Sequence, residues 1–362
     1  MLVVARRRLA VIAALLVGVA LLVMIGPGLG SVRARLGHAS GGWIAAAVAL
    51  ETLSALCYVV IFRAVFGGRL SRQTSYRIAM AEQAANSVLS VSGAGGLAFG
   101  AWALRRVGMS GERIARRTVA FFLLTSLANV GAVIVFAALY ALGVLSGDPN
   151  PALTYGFGAA AVAAILVVLA LARLLARDED PSPAPGPGRL RAAARFVRCS
   201  LGQGAGDGLR LLRRRPIGVL TGSLGTMACD LAVLGVAFRA FGHSPALGVL
   251  VLGYLVGQLG GNLPLPGGIG GVDSGLIGTF ALYHEPLAIT TAAVLVYHAV
   301  SLWVPAALGS VAFARLRDTL ARPRELAREP YVPAGEPHAT AGEPHVTGSC
   351  WASGVAPAMS AA

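Results

Sequence analysis

The sequence predicts an all-α polytopic membrane protein, an inverted repeat of six full spans and two broken, re-entrant hairpins. Composition is the first reason. Of 362 residues 56% are hydrophobic and only 13% charged, with a mean hydropathy of +0.71, whereas a soluble domain carries about 25% charged residues. The second reason is a pair of matching glycine-rich breaks, Gln83 to Leu97 (QAANSVLSVSGAGGL) and Gln258 to Val272 (QLGGNLPLPGGIGGV). A shift of 175 residues superimposes Gln83 on Gln258, Gly93 on Gly268, Gly95 on Gly270 and Gly96 on Gly271, and brings Asn86 within one place of Asn262. The third is the placement of arginine. Every basic residue is Arg, and one orientation puts 27 of the 30 on a single side.

Taken in order, six apolar stretches are long enough to cross a bilayer core, which needs about 20 residues per helix. They run roughly Leu9 to Ile25, Trp43 to Phe66, Thr118 to Val144, Leu153 to Leu175, Ile217 to Phe241 and Ala288 to Ala314. The first exceeds the apolar core of a signal peptide and is followed by Gly-Pro-Gly without an A-x-A site, so it reads as an uncleaved span. Between the spans lie two broken segments, Ile78 to Leu104 and Leu247 to Tyr283. Glycine-rich backbone at that depth has no partner in hydrocarbon, so it belongs where it lines a cavity.

The chain therefore divides into a first half (1–175), a basic linker (176–215), a second half (216–317) and a tail (318–362). The linker opens with DEDPSPAPGPG and continues through eight arginines interleaved with Leu190, Phe196, Leu201 and Leu209. That pattern suits a helix on an anionic inner leaflet, or equally a solvated segment obeying the positive-inside rule. The tail repeats AGEPHAT as AGEPHVT and is too poor in apolar residues to build a core. No metal spacing or disulfide framework emerges from Cys57, Cys199, Cys229 and Cys350, and no cofactor is expected.

With both termini in the cytoplasm, only Arg33, Arg35 and Arg239 face outwards. The net charge of +14 is then an orientation signal, and anionic lipid is a better partner than nucleic acid. The same orientation makes the first broken segment dip from the cytoplasm and the second from the exterior. Paired broken segments of opposite direction mark the binding site of many transporters. The alternative makes each segment two short full spans.

A resemblance rests on Asn262 to Asp273 (NLPLPGGIGGVD), Leu276, Tyr297, Trp303, Pro305 and Gly309, with weaker support from Gly93 to Leu97 and Leu104 to Gly108. These resemble the flippase-like transmembrane family of the lysylphosphatidylglycerol synthase membrane region, in which P-x-P-G-G-x-G-x-x-E precedes a span with Y-R and W-x-P. Asp273 stands for the usual Glu and His298 for the usual Arg. Asp230 sits where the family often has an Asp.

The resemblance implies lipid translocation without the soluble synthase domain, of which only a short low-complexity tail stands in place. A phospholipid or a polyprenyl-phosphate-linked lipid is the expected substrate. Two alternatives stay open, a non-transporting scaffold of envelope lipid synthesis and a membrane-embedded transferase for lipid-linked sugars. For a phosphate headgroup, backbone amides around Gly267, Gly268, Gly270 and Gly271, and more weakly Gly93, Gly95 and Gly96, are candidate donors. The same glycines could simply permit a turn and close helix packing. Asn86, Asn262, Pro266, Arg105 and Asp273 complete the expected binding set. Asp230, Asp273 and His298 are the expected ionisable coupling groups, with Asp273 and His298 as the pair. Glu51 and Glu82, near the ends of their segments, are expected at the membrane interface. Gln203 to Gly208 (QGAGDG) has neither the strand nor the GK[ST] of a phosphate loop.

Overall fold

The computed structural model describes residues 39–89, 94–142, 189–260 and 271–320, with isolated positions at 156, 159 and 163. The expected spans Leu9 to Ile25 and Leu153 to Leu175, the start of the linker and the tail beyond residue 320 lie outside those residues. Among the described residues there is no strand. The helices are α1 (Gly41–Phe66), α2 (Arg72–Leu89), α3 (Ala94–Arg106), α4 (Gly111–Ala141), α5 (Arg189–Arg214), α6 (Pro216–Arg239), α7 (Leu247–Gly260), α8 (Gly271–Leu282) and α9 (Leu287–Leu320). Four of them, α1, α4, α6 and α9, are long and apolar enough to cross a membrane. Each broken segment is a pair of shorter helices, α2 with α3 and α7 with α8, packed against each other.

Local chemistry sets the boundaries. Ser71 caps α2 by accepting the Thr74 amide at 3.1 Å, and Pro216 opens α6 at a position where its missing N–H costs nothing. After α3 the chain turns at Gly108, with φ of 89°, and the Met109 amide reaches back to the Leu104 carbonyl at 3.0 Å. After α8 it does the same at His284, with φ of 58°, where the Glu285 amide bonds the Phe280 carbonyl at 3.0 Å. Gly108 suits the left-handed conformation and His284 tolerates it. The helix starts at 41, 72, 94 and 111 recur at 216, 247, 271 and 287, so the spacing seen in the glycine motifs extends to four elements.

α1 and α6 form the central pair. Gly218, Gly222 and Gly225 give α6 a stripe of small residues. A Cβ on Gly222 would lie 2.6 Å from the Ile61 backbone nitrogen, and one on Gly225 would lie 2.7 Å from the Cys57 sulfur. Close packing of this kind drives helix association in lipid, where burial of apolar area offers little. Two apolar clusters sit at opposite ends of the pair. One gathers Phe62, Phe66 and Val219 with α2, α3 and the start of α4. The other gathers Ala47, Leu234 and Phe238 with α7, α8 and the start of α9. The hairpins thus occupy opposite ends of a helix pair about 39 Å long, at 1.5 Å per residue over the 26 residues of α1.

The repeat is not symmetric in its packing. α9 lies closely on α2, whereas its counterpart α4 makes only slight contact with α7. Gly309 explains the closeness, since a Cβ there would overlap the Met80 carbonyl oxygen. Gly131, on α4, has open space beside it.

Residues Arg189–Arg214 form a helix that docks on α4. Asp207 lies 3.8 Å from the Arg116 guanidinium and 4.0 Å from that of Arg117, the Arg116 side chain donates to Gln203 at 3.3 Å, and Gly204 packs on Val119 and the Arg116 carbonyl. The QGAGDG stretch is therefore the docking face of α5, where glycine permits approach and Asp207 supplies charge.

Candidate polar site between the two hairpins

Between the two apolar clusters the helices carry polar side chains. On α1, Glu51 is 5% exposed and Ser54 4%, one turn apart on a single face. Ser54 donates to Asp230 on α6 at 2.6 Å, and the Tyr254 hydroxyl of α7 donates to the other Asp230 oxygen at 3.4 Å. Ser301 of α9 donates to Glu51 at 3.4 Å. Tyr297, next to it in space, is hydrogen-bonded with Ser301 and feels the charges of Asp230, Glu51 and Asp273. Four helices from both halves thus meet around two carboxylates, Glu51 and Asp230. A charged side chain at the centre of a bilayer is costly and is retained where it faces a protein interior.

The two hairpins approach this centre with equivalent residues. Gln83 on α2 donates through its side-chain nitrogen to the Ala55 carbonyl at 3.3 Å. Gln258 on α7 is hydrogen-bonded to Tyr254, which holds Asp230, and Asp230 is the repeat equivalent of Ala55. Below the second hairpin, His298 Nδ1 of α9 lies 3.0 Å from Asp273 Oδ1, in the first turn of α8. Both side chains are largely buried, at 18% and 16% exposure. The far nitrogen of the His298 ring has no hydrogen-bond partner among the described residues.

Of the expected binding residues, Gly95 and Gly96 open α3 and Gly271 opens α8. Gly96 faces Asn86, where a Cβ would come within 2.8 Å of the Asn86 Cβ. Arg105 stands apart from them. It is exposed in the last turn of α3, about 15 Å along the helix from Gly95 at 1.5 Å per residue. Gly93, Asn262, Pro266, Gly267, Gly268 and Gly270 lie outside the described residues. Asp230 joins Ser54 and Tyr254, while Asp273 and His298 come together as the expected pair.

Glu51 and Glu82, expected at the membrane interface, are both buried among the helices. The physical reason is helix length. α1 begins at Gly41, so Glu51 is about 15 Å into the helix, and Glu82 is as far into α2. Counting residues from those starts could have found them. Ser54, Tyr254 and Ser301 carried no comparable signal, because hydroxyls are common in membrane helices.

Membrane-length apolar helices with carboxylates clustered between them among the described residues define a polytopic membrane protein with a polar interior. The chain belongs to the family described as the lysylphosphatidylglycerol synthase TM region, whose model matches residues 11–309. No relative among curated proteins matches the chain.

Proposed function

We propose that this protein is a lipid translocase, carrying a phospholipid or a polyprenyl-phosphate-linked lipid across the cell membrane without chemical change to it. The observation that carries the reading is the placement of the two hairpins at opposite ends of the α1–α6 pair, with Glu51, Asp230 and their hydroxyl partners between them. If each hairpin dips from its own membrane face, the polar centre is reached from either side, as alternating access requires. The first-turn amides of α3 and α8, beside Gly96 and Gly271, supply N–H donors for a phosphate. Asp273 with His298, and Asp230, are the groups whose protonation biases one facing state over the other.

In this reading both termini are cytoplasmic and α5 rests against the inner leaflet. Its docked face is satisfied by Arg116 and Arg117, while Leu209 and Arg210 are exposed to meet acyl chains and anionic headgroups. The test is reconstitution of the full chain in liposomes with a panel of labelled lipids. Protein-dependent movement of at least one phosphate-bearing lipid between leaflets is expected. No movement above protein-free vesicles for any lipid contradicts translocation and favours a scaffold role.

A further inference from the structure

The first hairpin holds a buried carboxylate where the second hairpin has none. By the 175-residue repeat, Glu82 and Gly100 correspond to Gly257 and Gly275. In the second hairpin those glycines meet backbone to backbone, and a Cβ on Gly275 would lie 3.2 Å from the Gly257 Cα. In the first, the Glu82 carboxylate fills the equivalent place, and a Cβ on Gly100 would lie 2.7 Å from its Oε2. Beside it is a cavity of about 10 Å³ lined by Glu82, Gly100, Tyr58 and Thr118 and walled by Phe66 and Phe121. That volume accommodates about one water molecule and no larger ligand.

The surroundings offer the carboxylate little compensation as an anion. Glu82 is 9% exposed, and its polar partner is the Tyr58 hydroxyl of α1. α4 turns Thr118 to the cavity and sends Arg117 elsewhere, to the Val65 carbonyl at 3.0 Å and towards Asp207. α3 presents Gly100, Leu97 and Leu104. On the far side of α2, α9 packs Gly309 against Met80 and Ala84. Among the described residues no cation pairs with Glu82. A buried charge without a cation favours its neutral form.

We propose that Glu82, with Tyr58 and the water-sized cavity beside Gly100, is a proton-binding site built into the first hairpin. A hydronium ion reaching the cavity gives its proton to the carboxylate and leaves as water. Loading removes the charge held between α2 and α3. The inference deepens the translocation reading by giving the first hairpin its own titratable group, distinct from Asp273 and His298 in the second half.

Infrared difference spectroscopy of the full chain in lipid bilayers, stepped in pH, tests it apart from any lipid movement. Wild type is expected to show, apart from any carboxyl bands of Glu51, Asp230 and Asp273, a protonated-carboxyl C=O component that grows as pH falls and is lost in Glu82→Gln. An unchanged band in folded Glu82→Gln overturns the proposal. Gly100→Ala, which presses a methyl group on the carboxylate, is expected to shift that band or its midpoint. A Gly100→Ala spectrum identical to wild type overturns the proposal even where Glu82→Gln fails to fold. The predicted band in a protein that moves no lipid would uphold the proton site while contradicting translocation.

Discussion

At Ser54 a single hydroxyl fixes how Asp230 is held. The 2.6 Å contact is the shortest of the bonds to that carboxylate, and the Tyr254 bond at 3.4 Å is too long to replace it. Ser54→Ala is expected to lower stability by about 1–3 kcal/mol, the cost of leaving a buried acceptor short of a donor. Thermal unfolding in detergent checks this, and an unchanged midpoint contradicts it. For Asp273 and His298 the informative comparison is between two replacements. His298→Ala leaves Asp273 without the ring that stands 3.0 Å away and is expected to impair lipid movement more than Asp273→Glu combined with His298→Arg. The double exchange keeps an acid and a base facing each other at these positions and is expected to retain lipid movement. Full lipid movement in His298→Ala would reduce His298 to a packing residue beside Trp303. The Asp273–His298 pair was legible in the sequence because the glycine motif and the Tyr297–Trp303 segment carried its two members. The Ser54–Asp230–Tyr254 contacts were not legible, since nothing in three separate apolar helices records which faces will meet.

Among the elements, α9 and α4 are repeat partners with opposite fates. Gly309→Val is expected to destabilise the protein by about 3 kcal/mol or more, because a side chain there overlaps the Met80 carbonyl and overpacking at backbone contacts is poorly relieved. Gly131→Ala, at the open counterpart region of α4, is expected to be neutral or stabilising by up to about 1 kcal/mol, as glycine is a poor helix former. Equal effects of the two substitutions would contradict the packing described for α9. For α5, Asp207→Ala removes the acceptor shared by Arg116 and Arg117. Tryptic cleavage within Arg189–Arg214 is expected to rise several-fold, and an unchanged digestion rate would show that Gly204 packing alone holds the helix. The sequence allowed a basic amphipathic helix here and equally a solvated segment, and its docking partner was hidden. Asp207 reads as one acid among arginines until α4 brings Arg116 and Arg117 beside it.

At the scale of the molecule, the four-helix repeat was readable because glycine and glutamine recur where hairpins need turns and interior polar groups. The start of each helix follows the same offset within two residues. What could not be read was the unequal closure of the two halves, since it depends on one glycine, Gly309, whose counterpart is Ile134. The central claim is that the two hairpins reach one polar interior from opposite membrane faces. Its most direct test places single cysteines at Ser90 and Leu263, in the breaks of the two hairpins, after removal of the four native cysteines. An impermeant thiol reagent applied outside intact cells should label position 263 and leave position 90 unmodified until the membrane is opened. Strong external labelling at position 90 would contradict the opposed hairpins and require two full crossings in the first half.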